Sequence, residues 1–421
     1  MQSPPHHRSR TLFLAAALHA FTHVYQVALL PLYFLIQKDL GLVSVGKATL
    51  LVTALMIAYF VPSYPMGVLA DRISRKKLLA IGLGINGLGF IGLSFARTYE
   101  LALLCVIIAG FGGSFYHPAA TAMVARLYPT GTGRALGLVG MGASVGFFLG
   151  PIYSGWRAET AGWRAPVLEL GILGVVDSIL FTWLAAEETA REVRPVENRH
   201  LETMFPTLAL WMFFIASAFA FSMRDFAGSS MGSLGSLFLQ KAHGMDLKAT
   251  GVALSVIFIG SLISNPLFGG LSDGARLRTS SIVLVLAAVA VATFPFVPRS
   301  AVVPALLVYG FFFMANYPIV EAALMESVPD AVRGRVFGIF ITIGGLVGNL
   351  SHWLVGKWVQ RLGSAADSVA AYYPAYALLA TLIVVALVGL PCLAAIRRRE
   401  GLSGSTAGAP LPQPESLPQA P

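Results

Sequence analysis

Long apolar blocks alternate with short polar connections along the whole chain. A helix rising 1.5 Å per residue needs about 20 mainly apolar residues to cross a bilayer. Twelve blocks are of that order, at residues 11–36, 48–70, 78–96, 101–126, 133–156, 165–185, 205–240, 249–271, 280–298, 301–327, 334–358 and 371–396. Gly and Pro are scattered inside the blocks, which membrane helices tolerate because neighbours re-satisfy the backbone. The first block is too long for a secretory signal core and has no small-residue cleavage site, so it reads as a span. Residues 1–10 are polar, and 401–421 are rich in Gly, Ser and Pro with no apolar period, which predicts unstructured tails.

Composition narrows the class further. Of 421 residues, 56% are hydrophobic and 12% charged, about half the charge of a soluble domain. The net charge of +9 sits in short basic clusters between apolar blocks, as orientation signals do, so no nucleic-acid partner is implied. More Lys and Arg lie on the side of the N-terminus, including Arg72, Arg75, Lys76, Lys77 and Arg397 to Arg399. By the positive-inside rule both termini are cytoplasmic, in an inner or plasma membrane. Cys105 and Cys392 lie in apolar runs and read as small hydrophobes.

The most polar interior connection divides the twelve blocks six and six, and the two halves resemble one another. Gly67-Val-Leu-Ala-Asp71 returns as Gly269-Gly-Leu-Ser-Asp273, His117-Pro118 as Tyr317-Pro318, and Gln37-Lys38 as Gln240-Lys241, each about 200 positions on. Such a repeat is what two parallel six-helix bundles leave, with a substrate path at their interface. The expected fold class is therefore an all-α integral membrane protein of twelve helices in two pseudo-symmetric bundles. Its parts are a tail at 1–10, bundles at 11–186 and 205–399, a linker at 187–204 and a tail at 400–421.

Two motifs carry a family likeness. Pro65-Met-Gly67-Val-Leu-Ala-Asp71-Arg72-Ile-Ser-Arg75-Lys76-Lys77 resembles the loop 2–3 signature of the major facilitator superfamily, G-x-L-x-D-R-x-G-R-[KR], with Ser74 where Gly is common. The resemblance implies a gating role for Gly67, Asp71, Arg72 and Arg75, and for Asp273 in the second half. Gly137, then Gly146-Phe-Phe-Leu-Gly150-Pro151-Ile-Tyr-Ser154-Gly155, is similar to the superfamily's antiporter signature. It implies export in exchange for protons, with Gly146, Gly150 and Pro151 as the motif residues. His19-Ala-Phe-Thr22-His23-Val-Tyr-Gln26 and Tyr116-His117-Pro118-Ala119 are similar to patterns of the fosmidomycin-resistance branch, with His23 at the position of that branch's intramembrane Asp.

Ionisable groups at membrane depth are costly and mark function by default. His19, His23 and Gln26 fall on one stripe of span 1. Arg224 and Asp225 lie within span 7, and Asn316, Tyr317 and Glu321 within span 10. Arg224 cannot shed its proton, so it needs a counter-carboxylate or an anionic substrate. Asp225 is adjacent in sequence and points in another direction, so it is not the ideal partner; Asp177, Glu321 and Asp225 itself are the candidate counter-carboxylates. A later start of span 7 would put Arg224 near the surface. Asp177, alone in span 6, is expected to pair structurally, and Asn349 and His352 in span 11 to pack.

These residues sort into proton-coupling candidates (His23, His19, Glu321, Asp225) and substrate-binding candidates (Arg224, Gln26, His117, Tyr317, Asn316). There is no nucleotide-binding G-x-x-x-x-G-K-[ST] loop, and the histidines show no H-E-x-x-H or other tight ligand spacing, so no cofactor and no metal are expected. No connection is large enough for a soluble catalytic domain, so the chain is not read as an enzyme. The reading is a monomeric secondary transporter working by alternating access, with a small-molecule substrate, protons and the lipid bilayer as partners. Proton-coupled efflux of a drug or metabolite is the expected direction. Proton-coupled uptake of a small organic anion or polar solute is the alternative, and a non-transporting sensor on the same fold a remote one.

Overall fold

The computed structural model describes residues 5–70, 73–128, 132–186, 203–272, 275–328 and 332–406, and every element in them is helical. In chain order the spans are α1 (Arg8–Asp39), α2 (Val45–Phe60), α3 (Arg75–Phe95), α4 (Tyr99–Val124), α5 (Ala135–Ala161), α6 (Arg164–Leu184), α7 (Leu208–Lys241), α8 (Leu247–Leu271), α9 (Arg276–Phe296), α10 (Arg299–Met325), α11 (Arg335–Asp367) and α12 (Val369–Arg398). All but α2 are long and apolar enough to cross a membrane. All twelve expected blocks are helical. The linker at 187–202 lies outside the described residues.

The departures from the sequence reading occur mostly at prolines. Span 1 is broken by a 3-10 turn at Leu30–Leu32, because Pro31 has no N–H to give the ladder. Helix α2 stops at Phe60 and resumes as Ser63–Ala70 after Pro62. Span 4 breaks at Ser114 and Phe115 and restarts as Tyr116–Leu127, with Pro118 in the first turn. Both tails are shorter than expected. The first helix begins at Pro5, a residue whose fixed φ suits a helix start, and the last continues to Thr406.

Helices α1–α6 form one bundle and α7–α12 the other, and the packing repeats as the sequence does. In the first, α1 packs on α5, α2 on α4, and α3 on α4 and α6; in the second, α7 packs on α11, α8 on α10, and α9 on α10 and α12. One contact shows the repeat at atomic scale. A Cβ on Gly110 of α4 would lie 2.0 Å from the Leu55 carbonyl oxygen of α2, and one on Gly310 of α10 would lie 2.0 Å from that of Ile257 in α8. Only a residue without a side chain lets these helix backbones touch. Outward faces carry large exposed apolar side chains such as Trp183, Leu208 and Ile263, the surface that acyl chains would cover.

The bundles meet along α5 with α8 and along α2 with α11. Their mutual hydrogen bonds gather toward one end. The Tyr33 and Ser233 hydroxyls are 2.8 Å apart, Ser236 donates to the Leu30 carbonyl at 2.5 Å, and Gln240 donates to that of Pro31 at 3.1 Å. Thr53 donates to the Asn349 carbonyl at 2.9 Å and accepts from the Trp353 amide at 3.1 Å. Toward the opposite end, which carries residues 62–70, a Cβ on Gly269, Gly270 or Gly338 would meet open space. Among the described residues the hydrogen bonds between the bundles are thus concentrated at the end of residues 30–46.

Gly110→Ala and Gly310→Ala should each push paired helices apart, at a cost of about 1–3 kcal/mol, read as a lower Tm of the purified protein in detergent. An unchanged Tm in both would mean that the close approach is not a packing constraint.

Candidate functional site

The first polar centre lies in the N-terminal bundle. Spacing of four on a helix stacks His19 over His23, and the His23 Nε2 atom lies 3.1 Å from His19 Nε2. His19 Nδ1 faces the Val139 carbonyl of α5 at 2.8 Å, and His23 Nδ1 faces Gln26 Oε1 at 3.0 Å. The close fit of α1 on α5 sets this register. A Cβ on Gly142 or Gly146 would fall 2.1 Å from the Ala16 or Ala20 carbonyl oxygen. Gly150 meets Val24 and Val27, so the glycine motif holds the helix that carries the histidines. The Pro151 carbonyl in turn abuts Gly251 of α8 in the other bundle.

His117 comes to this centre from α4. The break at Ser114 and Phe115 sets it in the first turn of the restarted helix, with its ring 5.1 Å from that of His19 and 5.6 Å from that of His23. His19 and His23 are buried, while His117 is exposed. The ligand nitrogens of the three lie within 4.8 Å of one another. Local spacing in the sequence shows no such grouping, because the third imidazole arrives through the fold. An aromatic ladder leads from His23 to Phe147 at 4.3 Å and on to Phe258 of α8 at 4.7 Å, crossing between the bundles.

The second centre lies in the C-terminal bundle around Arg224. Thr207 caps α7 by accepting from the Leu210 amide at 3.3 Å, so the helix does start early. Arg224 then sits halfway along it, about 24 Å from the start at 1.5 Å per residue. Its side chain is 2% exposed. Nε and one terminal nitrogen donate to Asp225 Oδ1 at 3.0 and 2.8 Å, and the other donates to Asn316 Oδ1 at 2.7 Å. Asn316 passes the bond on to Ser280 of α9 at 2.7 Å. The guanidinium also lies 4.0 Å over the Tyr317 ring, a favourable seat for a cation. Glu321 and the Tyr317 hydroxyl complete the electrostatic neighbourhood.

Of the three candidate counter-carboxylates, Asp225 is the one that pairs with Arg224, although adjacent residues are not ideally placed for it. The long arginine side chain bends back along the helix and reaches its neighbour's carboxylate. Asp225 in turn packs on α11, where a Cβ on Gly344 would lie 2.4 Å from Oδ2. Asp177 does not find the structural partner expected of it, since Oδ2 is buried without a hydrogen bond. Asn349 and His352 do more than pack. His352 bonds Ser233 at 2.6 Å and Asn349 Oδ1 at 3.1 Å, extending the Tyr33 contact across three helices. Tyr33, Ser233 and Thr53 went unnoticed in the sequence because lone hydroxyl residues in apolar runs carry no pattern.

A model of the major facilitator superfamily matches residues 12–352. The chain belongs to the major facilitator superfamily. It is therefore a multi-pass membrane transporter and not an enzyme. A multi-drug resistance efflux pump of Streptococcus pneumoniae, PmrA, is 27% identical over 319 residues, covering 71% of this chain and 76% of the pump. The quinolone resistance protein NorA of Staphylococcus aureus is 25% identical over 230 residues, 54% of this chain and 58% of NorA. The fold is shared with a bacterial homologue of the human lysosomal transporter Spinster, inward-facing and unoccupied, at a TM-score of 0.74, 15% identity and coverage of 94% of this chain and 98% of that one. The nucleoside transporter NupG follows at 0.73 and 16%, covering 91% and 99%.

Of the superfamily's loop motif, Asp71, Arg72 and Asp273 lie outside the described residues. Gly67 faces Pro118 of α4 at 3.5 Å for an added Cβ, and Arg75 donates to the Ala122 carbonyl at 3.4 Å, so the motif's flanks tie α2 and α3 to α4. Ser74, where the family often has Gly, caps α3 by accepting from the Lys77 amide.

Arg224→Leu leaves the part-buried Asp225 carboxylate without its partner and should cost roughly 1–3 kcal/mol, seen as a fall in Tm. The double replacement Arg224→Leu with Asp225→Leu should recover much of that loss. A single variant as stable as the parent would show that the pair is not a structural constraint.

Proposed function

We propose that this transporter exports a small organic molecule in exchange for protons, by alternating access in the plasma membrane with both termini cytoplasmic. The observation that carries the reading is the grouping of Asp225 and Glu321 around the buried Arg224 between α7, α10 and α11. A carboxylate held against a guanidinium gives up its pair when a proton neutralises it. Arg224 then turns to the remaining carboxylate and to Asn316, and α7 shifts relative to α10 and α11. A charge exchange of this kind couples proton arrival to the rocking of one bundle against the other. Proton coupling thus attaches to Asp225 and Glu321.

Arg224 already has a counter-carboxylate, so its charge does not require an anionic substrate. Contacts for a neutral or cationic molecule come instead from Gln26, whose Nε2 is buried without a partner, from the exposed His117, from the Phe147–Phe258 stack and from Tyr317. Efflux agrees with the similarity to the efflux pump PmrA and the quinolone resistance protein NorA, and with the glycine motif of α5.

Everted vesicles loaded with the parent protein should accumulate ethidium when their lumen is acidified, and Glu321→Gln and Asp225→Asn should each remove the dependence on the proton gradient. Accumulation that stays gradient-driven in both variants would sink the coupling role. Uptake in right-side-out vesicles alone would reverse the direction.

A further inference from the structure

We propose that His19, His23 and His117 form a binding site for a divalent first-row transition metal ion, such as Zn2+, Ni2+ or Co2+, open toward the central path. The inference goes beyond the export reading and does not depend on which carboxylate carries protons. It rests on where the ring hydrogens must be. The Val139 carbonyl only accepts, so the His19 Nδ1 facing it at 2.8 Å carries the hydrogen, and the Nε2 lone pair is free. Gln26 Oε1 does the same for His23 Nδ1 at 3.0 Å. The two free Nε2 atoms then point at each other across 3.1 Å. Two lone pairs at that distance repel unless a proton or a metal ion is shared between them, and the third imidazole beside them favours the metal ion.

The geometry suits a metal. Imidazole nitrogens about 2.0–2.1 Å from a tetrahedral ion stand about 3.4 Å apart, close to the observed separation. The third nitrogen lies within 4.8 Å of the others. His117 is exposed, and its ring forms no hydrogen bond among the described residues, so it is free to swing the short distance required. Metal-bound histidines ordinarily donate their second ring N–H to a carbonyl or carboxylate, and the Val139 and Gln26 oxygens are already in that place. Three imidazoles leave at least one coordination position for water or for a donor atom of the cargo, and the exposed side of His117 is where it would open. The ligand chemistry is that of a borderline-soft cation with a vacant position, brought either as the aquated ion or as a chelate of a small organic ligand.

The test uses the full chain without a polyhistidine tag, carrying His6→Ala and His7→Ala, in detergent at neutral pH. Calorimetric titration with Co2+ and with Zn2+ should give one equivalent per chain, and the visible bands of Co2+ should shift and intensify as water is exchanged for imidazole. His117→Ala, whose folding is checked by its Tm and elution profile against the parent, should weaken binding by more than 10-fold. Gln26→Leu, which removes the amide and with it the acceptor of the His23 ring hydrogen, should weaken it about 10- to 100-fold, while His243→Ala in the α7–α8 connection should leave it unchanged. Repeating the Co2+ titration with equimolar free histidine separates the sources: a further spectral change with retained stoichiometry indicates a bound chelate, and an unaltered spectrum the ion alone. A Gln26 amide turned by 180° would satisfy the two rings without a cation. The result would then be no saturable binding by the parent protein, which overturns the proposal, as would equal affinity in the parent and His117→Ala.

Discussion

A guanidinium that cannot lose its charge, placed halfway along a membrane-spanning helix, constrains everything around it. Arg224 is satisfied from three directions: Asp225 on its own helix, Asn316 from α10, and the face of Tyr317. Each partner is itself held, Asn316 by Ser280 of α9 and Asp225 against Gly344 of α11. One charge thereby fixes the mutual positions of four helices. In a low-dielectric surrounding the alternative is an unpaired ion, whose cost exceeds that of any single packing contact. The same arrangement has two acidic groups beside one cation, so the array can be rewired without leaving the charge bare.

The N-terminal bundle has the same helix plan but different chemistry. Where α7 carries a cation, α1 carries imidazoles, which are neutral or charged according to what they bind. Their register follows from the contact of α1 on α5, in which Gly142 and Gly146 let the backbones touch at Ala16 and Ala20. The motif that resembles an antiporter signature thus has a local physical role here, since it sets the helix on which the His19 and His23 stripe stands. The bundles are joined at one end by short hydroxyl and backbone bonds through Tyr33, Ser233, Thr53 and His352. Such contacts are individually worth about 1 kcal/mol, so the end is held by several weak bonds and by no single strong one.

Much of the fold was legible in the sequence. Span count, the division into halves and the offset of about 200 positions are consequences of bilayer thickness and of a repeat, and both are one-dimensional. The Gly110 and Gly310 contacts confirm the offset in three dimensions. The site was legible in part. Polar residues inside apolar blocks stand out whatever the fold, so His19, His23, Arg224 and Glu321 could be singled out. The breaks at Pro31, Pro62 and Ser114 were not drawn, although proline itself is the signal for the first two. The hydroxyl contacts between the bundles left no trace, because Ser and Thr are common in membrane helices.

By itself the sequence determined that this is a twelve-helix membrane protein built of two similar halves, and which few side chains would be expensive to bury. Those facts depend on hydropathy and spacing along one chain. Only the tertiary structure decided who partners whom. Of three candidate carboxylates Arg224 pairs with the adjacent one, which helical spacing did not favour, because a long flexible side chain can fold back along its own helix. His117 joins His19 and His23 from a position nearly a hundred residues away, because a kinked α4 turns it toward α1. Partnership at membrane depth is set by which helix faces are pressed together, and that is a property of the packed bundle and not of the chain.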